Sequence, residues 1–512
     1  MDLEEFMRHW PYQKIDGKSF SELTLDGIPL WWFHNRFFLG HVMPRQLNTF
    51  ESIKSNRKLS LLEMAKLSIS VLSRKYLVMK ERRKIKFLKK TPNITRQKKV
   101  LFLTYTNHVS DGKLYRIQGI IDKVKERGNI KDFVVFADPL SSSRYTLLKD
   151  RCSIYQYCTD NIMEKAKKEA QELHKQWKQI SVEQKQRMLE WNGISLWYYF
   201  KYAFNFFFSK EFLYVTSLYY HIFLDMLLKE NVKVVLITSQ NSIFEKCLIA
   251  AANKLKINVL RLQHGIGEEI VAPEPFDVQN EYFYKLMFSD YLRREAMAVG
   301  WPKKKLVVVG CVVFDHIAKY IGAKHRDTNT ILLATIPAVQ SNLISESEYL
   351  RRMKVILKEM KKTDMNLVIK LHPREVPKER CMNNYQKLLD DLGCKGSVFG
   401  GDVLEEKFYE LMKSSDLMAN FGSTVAVEAM IIDRPTMTID LLGSKFHTRW
   451  IEEKGITVNV DWDGDIVSAV KTALAGNKEI QRKSKKYIKN KCGKITGKAY
   501  ENVAKMIEAM SR

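Results

Sequence analysis

Residues Met418 to Asp440 read MANFGSTVAVEAMIIDRPTMTID. The apolar run MANF stops at Gly422-Ser423-Thr424, an apparent helix follows with the acid Glu428 on it, and Pro435 leads a second strand-like run. Strand, turn, helix and strand in succession are the unit of a parallel sheet. The turn also carries chemistry. Gly422 lets a ligand approach the backbone, Ser423 and Thr424 supply hydroxyls, and free N–H groups at a helix start favour phosphate. Glu428, about one turn into the helix, can accept hydrogen bonds from ribose hydroxyls. The ordinary alternative is a strand–turn–helix with a Ser or Thr cap.

The same grammar extends outward in both directions. VLFLTY (100–105), FVVFADP (133–139), VKVVLITS (232–239), INVLRLQHG (257–265) and LVVVGC (306–311) alternate with amphipathic helical stretches. It restarts at TILLATIP (330–337) and runs through NLVIKLHP (366–373), SVFGG (397–401), LMANFG (417–422), PTMTID (435–440) and GITVNV (455–460). Two consecutive α/β sheets joined near Val309–Asp315 predict two Rossmann-like lobes with a cleft between them. The expected division is a helical, basic N-terminal extension over 1–96, a first lobe over 97–305, and a second lobe over 306–512 that ends in helices. The first lobe carries an aromatic helical insertion at about 147–230.

The 512-residue chain is 45% hydrophobic and 28% charged, a globular composition. Its formal net charge of +26 calls for an acidic partner. Between Arg74 and Lys99 there are twelve Lys/Arg against one acid, and a second basic cluster spans Arg482 to Lys494. Such clusters are either solvated helix faces or contacts to an anionic membrane surface. The aromatic insertion, interrupted by Lys201, Lys210, Glu211 and Asp225, reads as buried core more readily than as a membrane-interface helix pair. No signal peptide and no spanning segment is visible, and seven scattered cysteines without a CxxC pair indicate neither zinc nor disulfides. A cytoplasmic protein, peripheral on the inner face of the membrane at most, is expected. No reading head for nucleic acid is present.

Three further polar clusters fall at strand ends, where open α/β sheets bind ligands. KLHPRE (370–375) follows NLVI: Lys370 adds charge, His372 can donate to a phosphate oxygen, Arg374 can grip one bidentately, and Pro373 stiffens the turn. The alternative is a charged loop containing a histidine. LQHGIGEE (262–269) places Gln263, His264 and Gly265 at a first-lobe strand end, where a neutral His264 can act as general base or bind a sugar. Glu375 joins Gln263 and Gly265 as a cleft candidate. NHVSDGKL (107–114) offers Asp111 as a base for an acceptor hydroxyl, although Asp-Gly is also a common turn dipeptide. No phosphate-binding GxxxxGK[ST] loop occurs, and no GxGxxG follows the first strand.

With these pieces the chain resembles a glycosyltransferase of the GT-B type. More narrowly it resembles enzymes of bacterial and archaeal surface-polysaccharide synthesis: capsule glycosyltransferases, bacterial sialyl- and polysialyltransferases, and the glycerophosphotransferases of teichoic-acid synthesis. The resemblance covers roughly Lys99 to Asp465 and rests on QHG (263–265), VVVGCVVFD (307–315), KLHP (370–373) and GSTVAVEA (422–429). It implies a nucleotide-sugar donor on the second lobe and a glycan or lipid-linked acceptor facing the first, with no cofactor and no metal. The group's His-Pro and Ser-Thr motifs around the donor phosphate match His372-Pro373 and Ser423-Thr424. Its catalytic base is usually two acids and a glycine, whereas here Asp111-Gly112 follows Ser110. Glu428 sits where the lipid-linked N-acetylglucosaminyltransferase of peptidoglycan synthesis, similar in this stretch, holds a ribose. A CDP-glycerol-type glycerophosphotransferase, a nucleotide-sugar 2-epimerase and an inactive membrane- or polymer-binding scaffold are the rival readings.

Overall fold

Six apolar runs of the first half pair in parallel: β1 (Lys99–Thr104), β2 (Lys131–Phe136), β3 (Val232–Ile237), β4 (Asn258–Leu262), β5 (Phe283–Met287) and β6 (Leu306–Val308), in the order β6-β5-β4-β3-β1-β2. Six more form the second sheet: β7 (Thr330–Ala334), β8 (Asn366–Lys370), β9 (Gly396–Phe399), β10 (Leu417–Asn420), β11 (Thr436–Asp440) and β12 (Val458–Asp461), in the order β9-β8-β7-β10-β11-β12. Both are parallel throughout. Val100–Phe102, Val234–Ile237 and Ile331–Leu333 are buried from both faces, as strands covered by helices on each side must be. This computed structural model describes residues 6, 9–37, 97–105, 109–110, 113–114, 117–136, 154–263, 265–266, 270–323, 327–375, 377–400, 406–443 and 448–512.

The two-lobed α/β architecture is therefore the one the alternating runs predict. In the second sheet the chain order is 3-2-1-4-5-6, that of the doubly wound dinucleotide-binding fold. Its direction of winding reverses between β7 and β10. In the first sheet the reversal lies between β1 and β3. A crevice for a ligand is expected beyond the carboxyl ends at each reversal.

The N-terminal segment departs from expectation. Its described part, 9–37, is not a helical extension: it holds two short hairpins, Lys14–Ile15 with Lys18–Ser19 and Thr24–Leu25 with Ile28–Pro29, before one helix, Leu30–Phe37. Asp16-Gly17 and Asp26-Gly27 take positive φ at both hairpin tips, which suits a tight two-residue turn. Nor does it stand apart. Trp10 meets Phe204 edge-on at 5.4 Å, Phe20 meets Trp177 edge-on at 5.5 Å, and Phe20 meets Phe208 at 5.0 Å. Edge-to-face pairs of this kind bind the segment to helices Asp160–Gln179 and Trp197–Phe207. Most of the aromatic insertion, including Phe200, Phe204, Phe207, Phe208 and Phe212, is buried here. The aromatic run is core, and so does not supply the membrane-facing surface considered for it. The basic run from Arg74 lies almost wholly outside the described residues. Among the described residues no helix is long and apolar enough to cross a membrane.

The C-terminal end differs from the expected boundary as well. β6 pairs with β5, so the first sheet extends to Val308. Helix Ala499–Met510 returns to the first lobe and lies on helix Gln118–Arg127, where Arg127 binds Glu501 at 2.8 Å and Glu508 at 2.7 Å. The approach is so close that a Cβ on Gly119 would meet the Tyr500 ring at 2.4 Å. The connecting segment Val312–Tyr320 fixes this return, because Asp315 accepts the N–H groups of Ala499 at 3.0 Å and Tyr500 at 2.9 Å.

Candidate functional site

Strand register brings the two second-lobe motifs together. Ala334, the last residue of β7, pairs with Lys370 on one side and Asn420 on the other. With strands about 4.8 Å apart, the chain ends leading into HPRE and GST lie about 10 Å from each other across β7. They flank the winding reversal.

The HPRE turn is held from below. Glu375 is buried, and its Oε2 accepts the His372 N–H at 2.7 Å and the Thr335 hydroxyl, while Tyr385 donates to its Oε1 at 2.6 Å. Burial pushes this carboxyl up. Both oxygens are thus engaged inward, and Glu375 is a strut of the turn instead of the cleft residue expected from its place beside Arg374. Lys370 is also buried: its ammonium donates to Leu371 O at 2.9 Å and lies 4.9 Å from the centre of the Phe408 ring. The outward groups are His372 and the exposed Arg374. His372 Nδ1 accepts the Arg374 N–H at 3.1 Å, so a neutral ring carries its proton on Nε2, leaving that atom as the donor. Burial, reinforced by the charges of Lys370 and Arg374, lowers its pKa to about 4 and keeps the ring neutral at pH 7.

The GST turn is built differently from its sequence reading. Gly422 takes φ +87°, as a glycine at a tight turn can. The N–H groups of Gly422 and Ser423 are used within the turn: Asn420 Oδ1 accepts them at 2.8 and 3.1 Å. Helix Val425–Ile431 is only seven residues long, and its N-cap Thr424 makes no side-chain cap bond. Ser423 Oγ accepts the Val425 N–H at 3.4 Å, a weak bond. Trp450 closes the turn by donating to Gly422 O at 3.2 Å. Fewer backbone N–H groups are therefore left for the expected phosphate seat than the motif suggests, and Thr424 is exposed.

Glu428 lies deep in this corner. Tyr409, on helix Glu406–Ser414, donates to its Oε2 at 3.0 Å, and His316 Nε2 lies 2.6 Å from the Tyr409 hydroxyl. The tyrosine proton goes to the carboxylate, so His316 supplies the second hydrogen and the chain runs His316 to Tyr409 to Glu428. Burial raises the Glu428 carboxyl to about 7, against the opposing pull of the Tyr409 hydrogen bond and the Lys370 charge. Thr335, Asn420, Tyr409 and His316 were not among the residues singled out from sequence. Asn420, two residues before a glycine at a strand end, was the one with a readable signal.

At the first-lobe edge, Gln263 is buried and its Nε2 donates to Gly265 O at 3.0 Å, shaping the turn after β4. His264 and Asp111 lie outside the described residues. After β1, the Tyr105 hydroxyl donates to buried Glu245 at 2.6 Å.

No protein-family model matches the chain, and no curated protein matches it. Some solved structures are similar to it at low identity. MnaA of S. aureus in a co-structure with UDP is 12% identical, covers 80% of this chain and 96% of its own, and has a TM-score of 0.44. The UDP-GlcNAc 2-epimerase from Methanocaldococcus jannaschii, in complex with UDP-GlcNAc and UDP, is 17% identical over 81% of this chain and all of its own (100%), with a TM-score of 0.42. A variant of the wall teichoic acid polymerase TagF is 12% identical over 88% and 98%, with a TM-score of 0.41. Likeness at this level is no argument for a reaction, which has to be argued from the chain's own side chains.

Proposed function

We propose that the chain is a GT-B-type glycosyltransferase that moves a sugar from a nucleotide-sugar donor to a glycan or lipid-linked acceptor in cell-surface polysaccharide synthesis, without a metal. The observation that carries this reading is the placement of a neutral His372, an exposed Arg374 and a buried Glu428 around the winding reversal of a sheet with dinucleotide-fold order. His372 Nε2–H, Arg374 and the Ser423 and Thr424 hydroxyls would hold the donor phosphates, and Glu428 the ribose. The acceptor hydroxyl oxygen forms a bond to the anomeric carbon as the bond to the nucleotide phosphate oxygen breaks. The proton passes to a base, for which Asp111 and His264 are the candidates, and charge developing on the departing phosphate is met by His372 and Arg374.

The test is thermal unfolding with UDP-, CMP-, CDP- and GDP-linked donors and their free nucleotides, with and without a metal chelator. A ligand at about 100 times its Kd stabilises the fold by about 2.7 kcal/mol. Stabilisation by one nucleotide class, indifferent to chelator and absent from His372→Ala, is the expected result. Stabilisation by CDP-glycerol alone turns the reading toward phosphotransfer, and silence from the whole panel sinks it.

A peripheral membrane location is part of the same proposal. Helix Lys478–Cys492 exposes Lys478, Arg482, Lys485, Lys486 and Lys489 at i, i+4, i+7, i+8 and i+11, one stripe of like charge. Each basic residue near an anionic leaflet contributes about 1 kcal/mol. Arg482→Glu with Lys486→Glu is expected to weaken co-sedimentation with phosphatidylglycerol vesicles at least about tenfold. Equal binding by the double variant removes this helix from the proposal.

A further inference from the structure

The chain passes between the lobes twice, and a cysteine stands at each passage. The first passage leaves β6 through Cys311 into the segment Val312–Tyr320. The second leaves helix Lys478–Cys492 at its last residue and leads to helix Ala499–Met510 on the first lobe. Within helix Lys478–Cys492, Tyr487 and Ile488 still pack on Ile451 and Ile456 of the second lobe, while Lys491 already binds Glu295 of the first at 2.9 Å.

The two passages meet at the end of β5. The Val309 N–H donates to Met287 O at 3.0 Å, and a Cβ on Gly493 would meet Phe288 O at 3.1 Å and the Ser289 Cβ at 3.3 Å. The Ser289 hydroxyl donates to Asn490 O. Further along, the Asn502 amide donates to Val309 O at 3.0 Å, and a Cβ on Gly310 would meet that of Ala499 at 3.2 Å. Cys311 and Cys492 are enclosed by these contacts, 2% and 0% exposed, in one apolar cluster. Each is a free thiol, and they lie within hydrogen-bonding reach of each other; after burial, Cys492 is the neighbour that pushes the Cys311 thiol up. Cys247 and Cys394 instead donate to the backbone carbonyls of Thr216 and Leu357. A disulfide requires Cβ atoms about 4 Å apart, a separation that thiols within such reach approach by side-chain rotation.

We propose that Cys311 and Cys492 are a disulfide-forming pair, closed by a peroxide, that staples the two interlobe passages to each other. One thiolate sulfur attacks a peroxide oxygen, the O–O bond breaks and water leaves, and the sulfur is left as a sulfenic acid. The second thiol displaces the sulfenic hydroxyl as another water and the S–S bond forms. Two thiols are oxidised and one peroxide is reduced to two waters. The loop so closed, residues 311–492, contains the whole second sheet, and a cross-link over a long loop restricts the unfolded chain most. Burial slows the oxidation until the passage at Gly493 opens, and afterwards keeps reductant from the bond. The staple belongs to the join between the lobes and does not depend on the transferase reading.

The test treats the natively folded full chain with hydrogen peroxide, alkylates the remaining thiols after unfolding, and maps peptides without reductant. A peptide joining Cys311 to Cys492, two hydrogens lighter than its parts, is expected, and dithiothreitol applied to the unfolded chain should release it. The oxidised protein should melt at least about 4 °C higher than the reduced one. Amide exchange over 309–320 and 490–502 should slow at least about tenfold. Both gains should be absent from Cys311→Ala and Cys492→Ala. The wild-type map needs no variant, so a variant that misfolds leaves the test intact. Recovery of both cysteines as separately alkylated peptides, after a peroxide dose that consumes the more exposed Cys381, overturns the inference and makes the two thiols packing residues. A linked protein with an unchanged melting temperature overturns it as well, since the bond would then hold nothing that the fold does not already hold.

Discussion

Replacing His372 by alanine is expected to lower turnover about 10²–10³-fold, the usual effect of removing one preorganised donor from developing negative charge. The ring has two jobs that substitution can separate. Nδ1 accepts the Arg374 N–H and shapes the turn, which leaves Nε2–H as the donor. His372→Asn keeps an acceptor near Nδ1 and no donor at the position of Nε2. His372→Gln places an N–H near Nε2 and gives up the acceptor. If the role is charge stabilisation, Gln retains more turnover than Asn, while Asn melts closer to wild type. The reverse order of activities would make His372 a turn residue only. The proton state adds a second criterion. With a pKa of about 4 the ring stays neutral through pH 5–8, so turnover owes no loss to His372 as pH rises through 6.5. A limb of that kind that disappears in His372→Gln would mean that an imidazolium is required.

His372, Arg374 and Glu428 were legible because each follows an apolar run at the distance that puts it beyond a strand's carboxyl end. The runs themselves were legible because strands buried on both faces have little choice of residue. What supports the site was not. His316 reaches Tyr409 across 93 positions and Thr335 reaches His372 across 37, and one-dimensional spacing carries no trace of either pairing. Glu375 was misplaced for a related reason. Adjacent loop residues point to different sides, and a carboxyl beside an exposed arginine turned inward to take the hydrogen bonds of Thr335, Tyr385 and the His372 backbone. At the N-terminus the expected helical extension passes over two Asp-Gly pairs, although Asp-Gly is a strong hairpin signal. The order of strands in each sheet, which locates the reversals, is a tertiary fact that the succession of runs leaves open.

Glu428→Gln is expected to raise the KM for donor about 10- to 100-fold with little change in kcat, as loss of a hydrogen bond to a charged group would. It should also make the unliganded protein more stable at high pH. The Glu428 carboxyl titrates near 7 in the fold, above its ordinary value of 4.5. Between those values the folded chain keeps a proton that the unfolded chain has released, so stability from this group is present at low pH and lost as pH rises through 7. A shift of that size corresponds to about 3 kcal/mol by pH 8, and glutamine, which does not ionise, removes the loss. The difference between wild type and variant, followed by urea unfolding from pH 5 to 8, isolates this group from the depressed histidines His316 and His372. Those act oppositely, since they lose stability as pH falls from 6.5 toward 4. Tyr409→Phe then separates charge from packing. Its hydroxyl favours the ionised carboxylate, so the variant should titrate higher and bind donor about tenfold more weakly at pH 7. The deficit should shrink toward pH 9, where Glu428 is ionised in both proteins. A deficit that stays constant from pH 6 to 9 would mean that Tyr409 only packs, and that the line from the connecting segment through His316 to the Glu428 carboxylate does not act through charge.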